Sequence, residues 1–369
     1  MTAAPERMRG GDNPPMSETD TPPLLDALIR VPAPSGYEAP AAEVWRQAAS
    51  EFGDVRSDVL GSSTVGVGVG DDRPTVAVVG HIDEIGLFVS HIDEEGYLWF
   101  GSIGGWDPQN LVGQRVILRG NDGVVPGVIG KKPIHLIEPD DRKKASEIKH
   151  MHIDIGVSGR EEAEELVSVG DPAVLAAEPL PLPNGRLVSR SLDNRLGSYV
   201  ALEVARRVAE GDAPAVGVVG AAVAQEEITL GGATTTAFSL APDVAIAVDV
   251  THATDAPGID KKENGEHALG SGPVIGRGST LSPRVYKLLR ETAEAEGIEH
   301  TFEATGRFTG TDADAIQLSR AGVAAGLVSI PLRYMHSTVE MVQLGDVENV
   351  IRLIVAFVRR LSADEDYTR

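Results

Sequence analysis

Two residues at the end of an apolar segment, His81 and Asp83, have the types and spacing of a metal ligand and its neighbour. They lie in TVAVVGHIDEIG, where the apolar run predicts a β-strand. The period of two along a strand puts both side chains on one face. Taken alone, such residues are more often a hydrogen-bonded structural pair. A metal site therefore needs further ligands downstream.

Three carboxylate-bearing segments and one histidine-bearing loop follow in the sequence. Asp193 precedes a predicted helix in SRSLDNRLGSYVAL, and His336 lies in the loop PLRYMHSTVEM. The apolar strands AVGVVGAAVAQEE and DVAIAVDV end in Glu226, Glu227 and Asp249. Two adjacent carboxylates at the end of a buried strand repel each other and lose hydration, so they are costly without a nearby cation. Because open α/β sheets bind ligands at the carboxyl ends of their strands, we expect these side chains to meet at one edge.

The donor types and their number predict a site for two metal ions. Carboxylate oxygens and imidazole nitrogens suit zinc, cobalt or manganese. Five ligands are too many for one catalytic zinc with three protein ligands and too few for two separate sites. One carboxylate shared by two cations about 3.5 to 4 Å apart resolves the count. We expect two divalent ions per subunit, with zinc and cobalt as the leading candidates and manganese as the third.

Hydrophobic periodicity predicts the elements that position these residues. Residues 1–20 are rich in proline, glycine and charge, which predicts a disordered leader. Dense short strands within residues 88–176 predict a small β-rich module. After residue 177, strands alternate with longer helices, as in an open α/β sheet. Since PTVAVVG belongs with these buried strands, we expect residues 21–87 and 177–369 to form one discontinuous α/β domain that the β-rich module interrupts.

Composition excludes several classes of protein. The 369 residues carry a formal net charge of -22, which opposes binding to nucleic acid or to an anionic membrane surface. There is no cysteine, so disulfides, thiol nucleophiles and thiolate metal sites are excluded. No stretch has the length and apolar character of a membrane span or the pattern of a signal peptide. We therefore expect a cytoplasmic protein that handles small or peptidic ligands.

Seven motifs together resemble those of a known family. GHIDEIG, SLDNRLGSYVAL, QEEITLGGA, AVDVTHATD, ALGSGPVIGRGS, GTDADAI and RYMHSTVEM are similar, in that order, to motifs of the M42 family of dinuclear metallo-aminopeptidases. This family includes the tetrahedral and glutamyl aminopeptidases, some of which carry the name cellulase. The likeness extends from about residue 22 to residue 362 and includes the inserted segment. The ordered set of motifs is highly specific, although no single motif is.

The resemblance implies a role for each candidate ligand. Asp193 would bridge the two metal ions. His81 and Asp249 would complete one metal site, and Glu227 and His336 would complete the other. Each ion would then have three protein ligands.

The resemblance also implies the catalytic residues, the fold and the assembly. Glu226 would be the general base, and Asp83 would hold the His81 ring in the proper tautomer. The fold would be a mixed-sheet metallo-exopeptidase domain with helices on both faces, interrupted by a smaller PDZ-like dimerisation domain. Dimers would assemble into a hollow tetrahedral dodecamer that admits short peptide substrates.

Two positions depart from the family pattern. Asn194 lies where the family commonly has a second aspartate, and Gly231 lies where it usually has an arginine. Asn194 removes one negative charge beside the bridging residue, so the hydrogen bonding around the bridge is expected to differ. The missing arginine could alter assembly or substrate contacts.

Three alternative functions stay open at this point. A dinuclear metal amidohydrolase that removes acyl groups from amino acids would use the same ligands. A glucanase would need an acid and a second carboxylate but no metal, and an aromatic content of 4% gives few platforms for sugar stacking. A non-catalytic scaffold would assemble normally and bind no metal.

Overall fold

The computed structural model describes residues 21–70, 72–140 and 142–368, so the leader predicted for residues 1–20 lies outside the described residues. In chain order the helices are α1 (Pro23–Arg30), α2 (Ala39–Ala49), α3 (Arg160–Leu166), α4 (Leu192–Glu210), α5 (Glu226–Thr229), α6 (Gly231–Leu240), α7 (Lys261–Asn264), α8 (Pro283–Ala295), α9 (Ala313–Ile316) and α10 (Leu344–Arg360). The strands are β1 (Asp54–Ser57), β2 (Ser63–Val67), β3 (Thr75–His81), β4 (Gly86–Ile92), β5 (Leu98–Ile103), β6 (Arg115–Gly120), β7 (Gly123–Lys131), β8 (Met151–Asp154), β9 (Pro172–Leu175), β10 (Leu180–Leu182), β11 (Arg186–Ser189), β12 (Gly217–Val223), β13 (Val244–His252), β14 (Val274–Gly278), β15 (Thr301–Thr305), β16 (Ala324–Arg333) and β17 (Glu340–Gln343). These strands form one open sheet and one closed barrel.

The open sheet has eleven strands and a parallel centre. Its main path runs β1-β2-β12-β3-β13-β16-β17-β11-β10, while β14 pairs with both β15 and β16. Strand β3 pairs in parallel with β12 and β13, and β13 pairs in parallel with β16. Strands β1, β2 and β17 pair antiparallel with their neighbours, so the sheet is mixed. The four parallel strands all end at the same edge, which is where the candidate ligands were expected.

Helices cover both faces of the open sheet. On one face, α1, α2, α4, α8 and α10 pack into the larger apolar core, which includes Trp45 and Leu196. On the other face, Ala233 of α6 and Ile316 pack against the alternate residues of β3. Strand β12 is buried along its whole length, as is typical of a parallel strand covered on both sides. The predicted mixed-sheet α/β domain with helices on both faces is confirmed.

Strand β3 and helix α4 approach each other unusually closely at Gly80. A Cβ atom on this residue would lie 2.2 Å from the carbonyl carbon of Gly197 in α4. Glycine therefore allows the two backbones to touch directly. This contact fixes the distance between the end of β3, where His81 lies, and the first turns of α4.

A smaller β-rich domain interrupts the α/β domain, as predicted. Six strands close into a barrel in the order β4-β5-β8-β7-β6-β9. The barrel begins at Gly86 and its last strand ends at Leu175, beside the limits predicted at residues 88 and 176. It has an apolar core of its own, which includes Leu87, Leu118 and Ile153. Among the helices that the structure describes, none is long and apolar enough to cross a membrane.

Candidate metal centre

The parallel strands deliver the candidate ligands to one edge of the open sheet. His81 is the last residue of β3, and Asp249 lies in the second half of β13. Glu226 begins α5, just after β12 ends. Asp193 lies in the first turn of α4, and His336 lies in the loop that follows β16. Because β3, β12, β13 and β16 run in the same direction, the side chains at their ends meet.

Asp193 lies between the two candidate histidines. Its Oδ1 atom is 3.3 Å from Nε2 of His81, and its Oδ2 atom is 3.4 Å from Nε2 of His336. Asp193 and His81 are buried, whereas about one third of the His336 side chain is exposed, at 34%. A carboxylate with one oxygen directed at each imidazole can belong to two ligand sets at once.

Both histidines direct the same ring nitrogen toward Asp193. Nδ1 of His336 donates to the carbonyl oxygen of Gly105 at 2.8 Å, and Nδ1 of His81 donates to the carbonyl oxygen of Asp83 at 3.2 Å. A carbonyl oxygen only accepts hydrogen bonds, so Nδ1 carries the proton in each ring. When neutral, as a metal ligand must be, each ring would therefore present an unprotonated Nε2 toward Asp193. Metal-binding histidines usually have this arrangement.

Two further carboxylates lie beside these rings. Oε2 of Glu226 is 3.7 Å from Nε2 of His81, and Oε2 of Glu227 is 3.4 Å from Nε2 of His336. Oε1 of Glu227 is buried and has no hydrogen-bond partner in the described part of the chain. Native proteins rarely leave a buried polar atom without a partner. Nitrogen and oxygen donors around such an atom fit a divalent cation.

Two groups of side chains offer ligand atoms that all lie within 4.8 Å of one another. The groups share one histidine and consist of His81, Glu226 and Asp249, and of His81, Asp193 and Glu227. His336 lies within 3.4 Å of both Asp193 and Glu227, on the opposite side of Asp193 from His81. The structure thus brings together every metal ligand predicted from the sequence.

Crowding of buried acids changes their protonation. Burial raises the pKa of Glu226 to about 10, with Asp249 adding to the rise and His81 opposing it. Burial also raises the pKa of Asp249 well above its usual value. Burial alone would lower the pKa of His336, but hydrogen bonds to Asp193 and Glu227 outweigh it and raise this pKa to about 11. The centre therefore favours bound positive charge, either as protons or as metal ions.

Asp83 contacts more of the centre than the sequence suggests. Its Oδ1 atom lies 3.5 Å from Nδ1 of His81, beside the ring that it was predicted to orient. The same carboxylate accepts hydrogen bonds from the backbone amides of Glu226 and Glu227, each at 3.1 Å. These amide contacts were not predicted, because they depend on how the turn after β12 packs against the end of β3.

Two buried acids in the centre were missed by the sequence analysis. Glu340 accepts hydrogen bonds from the backbone amides of Asp193 and His336, at 3.1 and 3.0 Å. Asp312 is 1% exposed, and neither of its carboxylate oxygens has a hydrogen-bond partner among the described residues. Burial raises the pKa of Asp312 to about 7. The available signals were the acid four residues after His336 and the acid within the GTDADAI motif.

Comparison with known sequences identifies one family. The model of the family described as M42 glutamyl aminopeptidase matches residues 62–353. A lysyl aminopeptidase of Pyrococcus furiosus is 36% identical over 345 residues, which cover 92% of this chain and 96% of that protein. The matched range contains all the residues of the candidate metal centre described above.

Comparison with solved structures also finds peptidases. A TET aminopeptidase from the marine sediment archaeon Thaumarchaeota archaeon SCGC AB-539-E09 has a TM-score of 0.87 and 37% identity, covering 92% of this chain and 96% of that chain. The Pyrococcus horikoshii TET1 peptidase has a TM-score of 0.82 and 32% identity, covering 92% of this chain and 99% of its own. That peptidase can assemble into a tetrahedron or a large octahedral shell.

Proposed function

Because the chain belongs to the M42 glutamyl aminopeptidase family of metallopeptidases, we propose that it removes N-terminal residues from short peptides with two divalent metal ions and Glu226 as general base. One observation carries this proposal. Asp193 directs one oxygen toward His81 and the other toward His336, and Glu226 lies beside His81. This geometry fits two ligand sets that share one carboxylate.

The proposed ligand sets follow from these contacts. Asp193 would contribute one oxygen to each set, with His81 and Asp249 on one side and Glu227 and His336 on the other. The unpartnered Oε1 of Glu227 supports its place as a ligand. Zinc and cobalt are the leading candidates, and manganese accepts the same donors.

Glu226 has the position and the chemistry of a general base. When bound, the two ions would polarise the scissile carbonyl and make the attacking water more acidic. Bound cations would also keep Glu226 ionised at neutral pH, since burial otherwise raises its pKa to about 10. Glu226 would accept a proton from the water and return it to the leaving amino group. The surrounding carboxylates would hold the free amino terminus, which restricts cleavage to one end of the peptide.

Asp83 would support both catalysis and metal binding. Together with its own carbonyl oxygen, its carboxylate would hold the His81 ring in the tautomer that leaves Nε2 free. Its hydrogen bonds to the amides of Glu226 and Glu227 would fix the turn that carries the base.

Asn194, which departs from the family pattern, makes two side-chain hydrogen bonds that an ionised aspartate could not both make. Its Nδ2 donates to the carbonyl oxygen of Val248 at 2.8 Å, and its Oδ1 accepts from the amide of Gly197 at 2.8 Å. An aspartate could not donate the first bond unless it were protonated. We propose that Asn194 ties the start of α4 to β13 next to the bridging residue.

We also propose that the barrel is a dimerisation domain and that dimers assemble into a tetrahedral dodecamer. The support is the similarity to the TET1 peptidase, which forms a tetrahedron or an octahedral shell. A hollow particle with inward-facing sites would admit short peptides and exclude folded proteins.

A substrate panel tests the proposed reaction. Protein freed of metal with a chelator and reconstituted separately with zinc, cobalt or manganese is assayed on aminoacyl-p-nitroanilides, N-acyl amino acids and a soluble glucan. We expect metal-dependent release of p-nitroaniline from substrates with a free amino terminus. Cleavage confined to N-acyl amino acids would instead identify a deacylase, and chelator-insensitive glucan cleavage would identify a glycosidase.

A further inference from the structure

Glu340, the first residue of β17, is a buried carboxylate that bonds to the backbone of two proposed metal ligands. It is 2% exposed. Its Oε2 atom accepts from the amide of Asp193 at 3.1 Å, and its Oε1 atom accepts from the amide of His336 at 3.0 Å. One side chain thus joins the first turn of α4 to the loop that follows β16.

A second buried carboxylate, Asp83, makes the same kind of contact on the opposite side of the centre. Asp83 accepts from the amides of Glu226 and Glu227 through its two oxygens, as described above. Asp83 therefore holds two consecutive residues of one turn, whereas Glu340 holds two separate backbone segments. In both cases the residues held are proposed site residues. In each case both oxygens of one side chain accept from backbone amides, so the two contacts together constrain the backbone.

The loop that carries His336 has particular need of such a constraint. His336 has a left-handed backbone with φ of 60°, which non-glycine residues rarely adopt. Tyr334, two residues earlier, has the same φ of 60°. The His336 ring is also the more exposed of the two candidate imidazoles, since 34% of its side chain is accessible compared with 2% for His81. Outside contacts must therefore hold this loop in its observed conformation.

We propose that Glu340 is a positioning residue that sets the distance between Asp193 and His336 and thereby creates the second metal site. This inference rests on the proposed two-metal function. Both oxygens of Glu340 accept backbone hydrogen bonds, so we assign this residue to the backbone of the two ligands and not to the metal. It acts through the two ligands that it holds.

The test compares Glu340→Gln with Asp346→Asn in the full-length protein. Glutamine keeps the shape but turns an amide group toward one of the two backbone N–H groups, so one ligand is released. Asp346 is a matched control because it is 1% exposed and accepts from the amides of Gly270 and Gly272, both at 2.8 Å. It belongs to α10 and has no contact with the proposed ligands among its hydrogen bonds.

Zinc binding to each metal-free protein is measured by calorimetric titration, together with the unfolding temperature of the metal-free form. We expect the dissociation constant of the weaker zinc ion to rise roughly 10- to 100-fold in Glu340→Gln, as is typical when a residue that orients a ligand is lost. The tighter ion and the unfolding temperature should change no more than in Asp346→Asn. Activity of Glu340→Gln should be rescued in part by excess zinc.

Unchanged affinity for both ions in Glu340→Gln would overturn the inference, and so would an equal loss in Asp346→Asn. Glu340→Asp provides a second test, since it keeps the charge but is too short to reach both amides. Wild-type affinity for both ions in Glu340→Asp would show that charge rather than geometry matters, which also overturns the inference. If the wild-type protein binds fewer than two zinc ions, the proposed function itself fails.

Discussion

At the scale of single residues, the centre divides its acids between two tasks. Asp193, Glu227 and Asp249 have positions suited to binding cations, whereas Asp83 and Glu340 accept backbone hydrogen bonds. Acids of the first kind are stabilised by added positive charge. Acids of the second kind are stabilised by amide dipoles that are already present. Substitutions in the two groups should therefore have different effects on metal content.

Glu226→Gln should keep its metal but lose most of its turnover. The amide preserves the shape of the side chain but cannot accept a proton from water, so kcat should fall roughly 10²- to 10⁴-fold. The measurement is kcat on an aminoacyl-p-nitroanilide together with metal content by plasma mass spectrometry. Glu203→Gln is a matched control, since Glu203 is a buried glutamate of α4 paired with Arg206. Peptide cleavage at the wild-type rate by Glu226→Gln would remove Glu226 from the mechanism.

Ionisation of the buried Asp346 carboxyl group should lower the free energy of unfolding as the pH rises from about 4 to 6. Burial raises the pKa of Asp346 from 3.8 to about 6, so the folded protein binds this proton more tightly than the unfolded chain does. The stabilisation is complete below the unfolded pKa and is lost as the pH rises through the folded one, by on the order of 2–3 kcal/mol. Urea unfolding of wild-type protein and Asp346→Asn across this range measures the difference. A difference that does not change with pH would contradict the prediction.

Several of the predicted site residues share a clear signal in the sequence, whereas the missed residues have only a weak one. His81, Glu226 and Asp249 follow apolar strands, so their chemistry and their place at a sheet edge are both visible in the sequence. Glu340 and the carbonyl of Gly105 contribute through contacts between segments that are remote in the chain. Such contacts depend on loop packing, which no local pattern encodes.

At the scale of elements, the barrel contributes a hydrogen-bond acceptor to the candidate metal centre. The loop that follows β5 supplies the carbonyl oxygen of Gly105, which accepts from Nδ1 of His336. Gly104 in the same loop has φ of 72°, and a Cβ atom there would lie 2.6 Å from Cγ2 of Ile85 and 3.5 Å from Cβ of Glu227. The inserted domain thus helps to orient a proposed ligand from outside the α/β domain.

Gly104→Ala should lower activity far more than Gly113→Ala. Both glycines have a left-handed backbone, so each substitution should cost about 1–2 kcal/mol of conformational strain. A Cβ atom on Gly113 would meet nothing within 4 Å, whereas one on Gly104 would push the loop away from Ile85. Displacing a ligand by about 1 Å can cost about 100-fold in kcat/KM. Equal kcat/KM values for the two variants would show that the loop does not position the centre.

The elements themselves were largely predictable, but the pairing of the barrel strands was not. The apolar strands and amphipathic helices of the α/β domain have clear periodicities, and their alternation indicates a parallel sheet. Closure of the barrel depends on pairs such as β4 with β9, whose residues lie far apart in the sequence. The sequence therefore predicted a β-rich insertion without its strand order.

At the scale of the whole molecule, the proposed function assigns assembly to the barrel and catalysis to the α/β domain. We expect light scattering to detect a particle of twelve 38.9 kDa chains at moderate protein concentration. If apolar contacts dominate the subunit interfaces, raising the salt concentration should not dissociate this particle, since salt screens only the interactions between charges. A monomeric particle with full peptidase activity would contradict the proposed assembly.

Metal content per subunit tests the central claim most directly, namely that two ions share Asp193. Wild-type protein and Asp193→Ala are saturated with zinc, freed of excess metal, and measured by plasma mass spectrometry alongside their turnover of an aminoacyl-p-nitroanilide. We predict two zinc ions per wild-type subunit, and loss of both metal and turnover in Asp193→Ala. Retention of two ions by Asp193→Ala, or undiminished turnover by wild-type protein stripped of metal, would contradict the account.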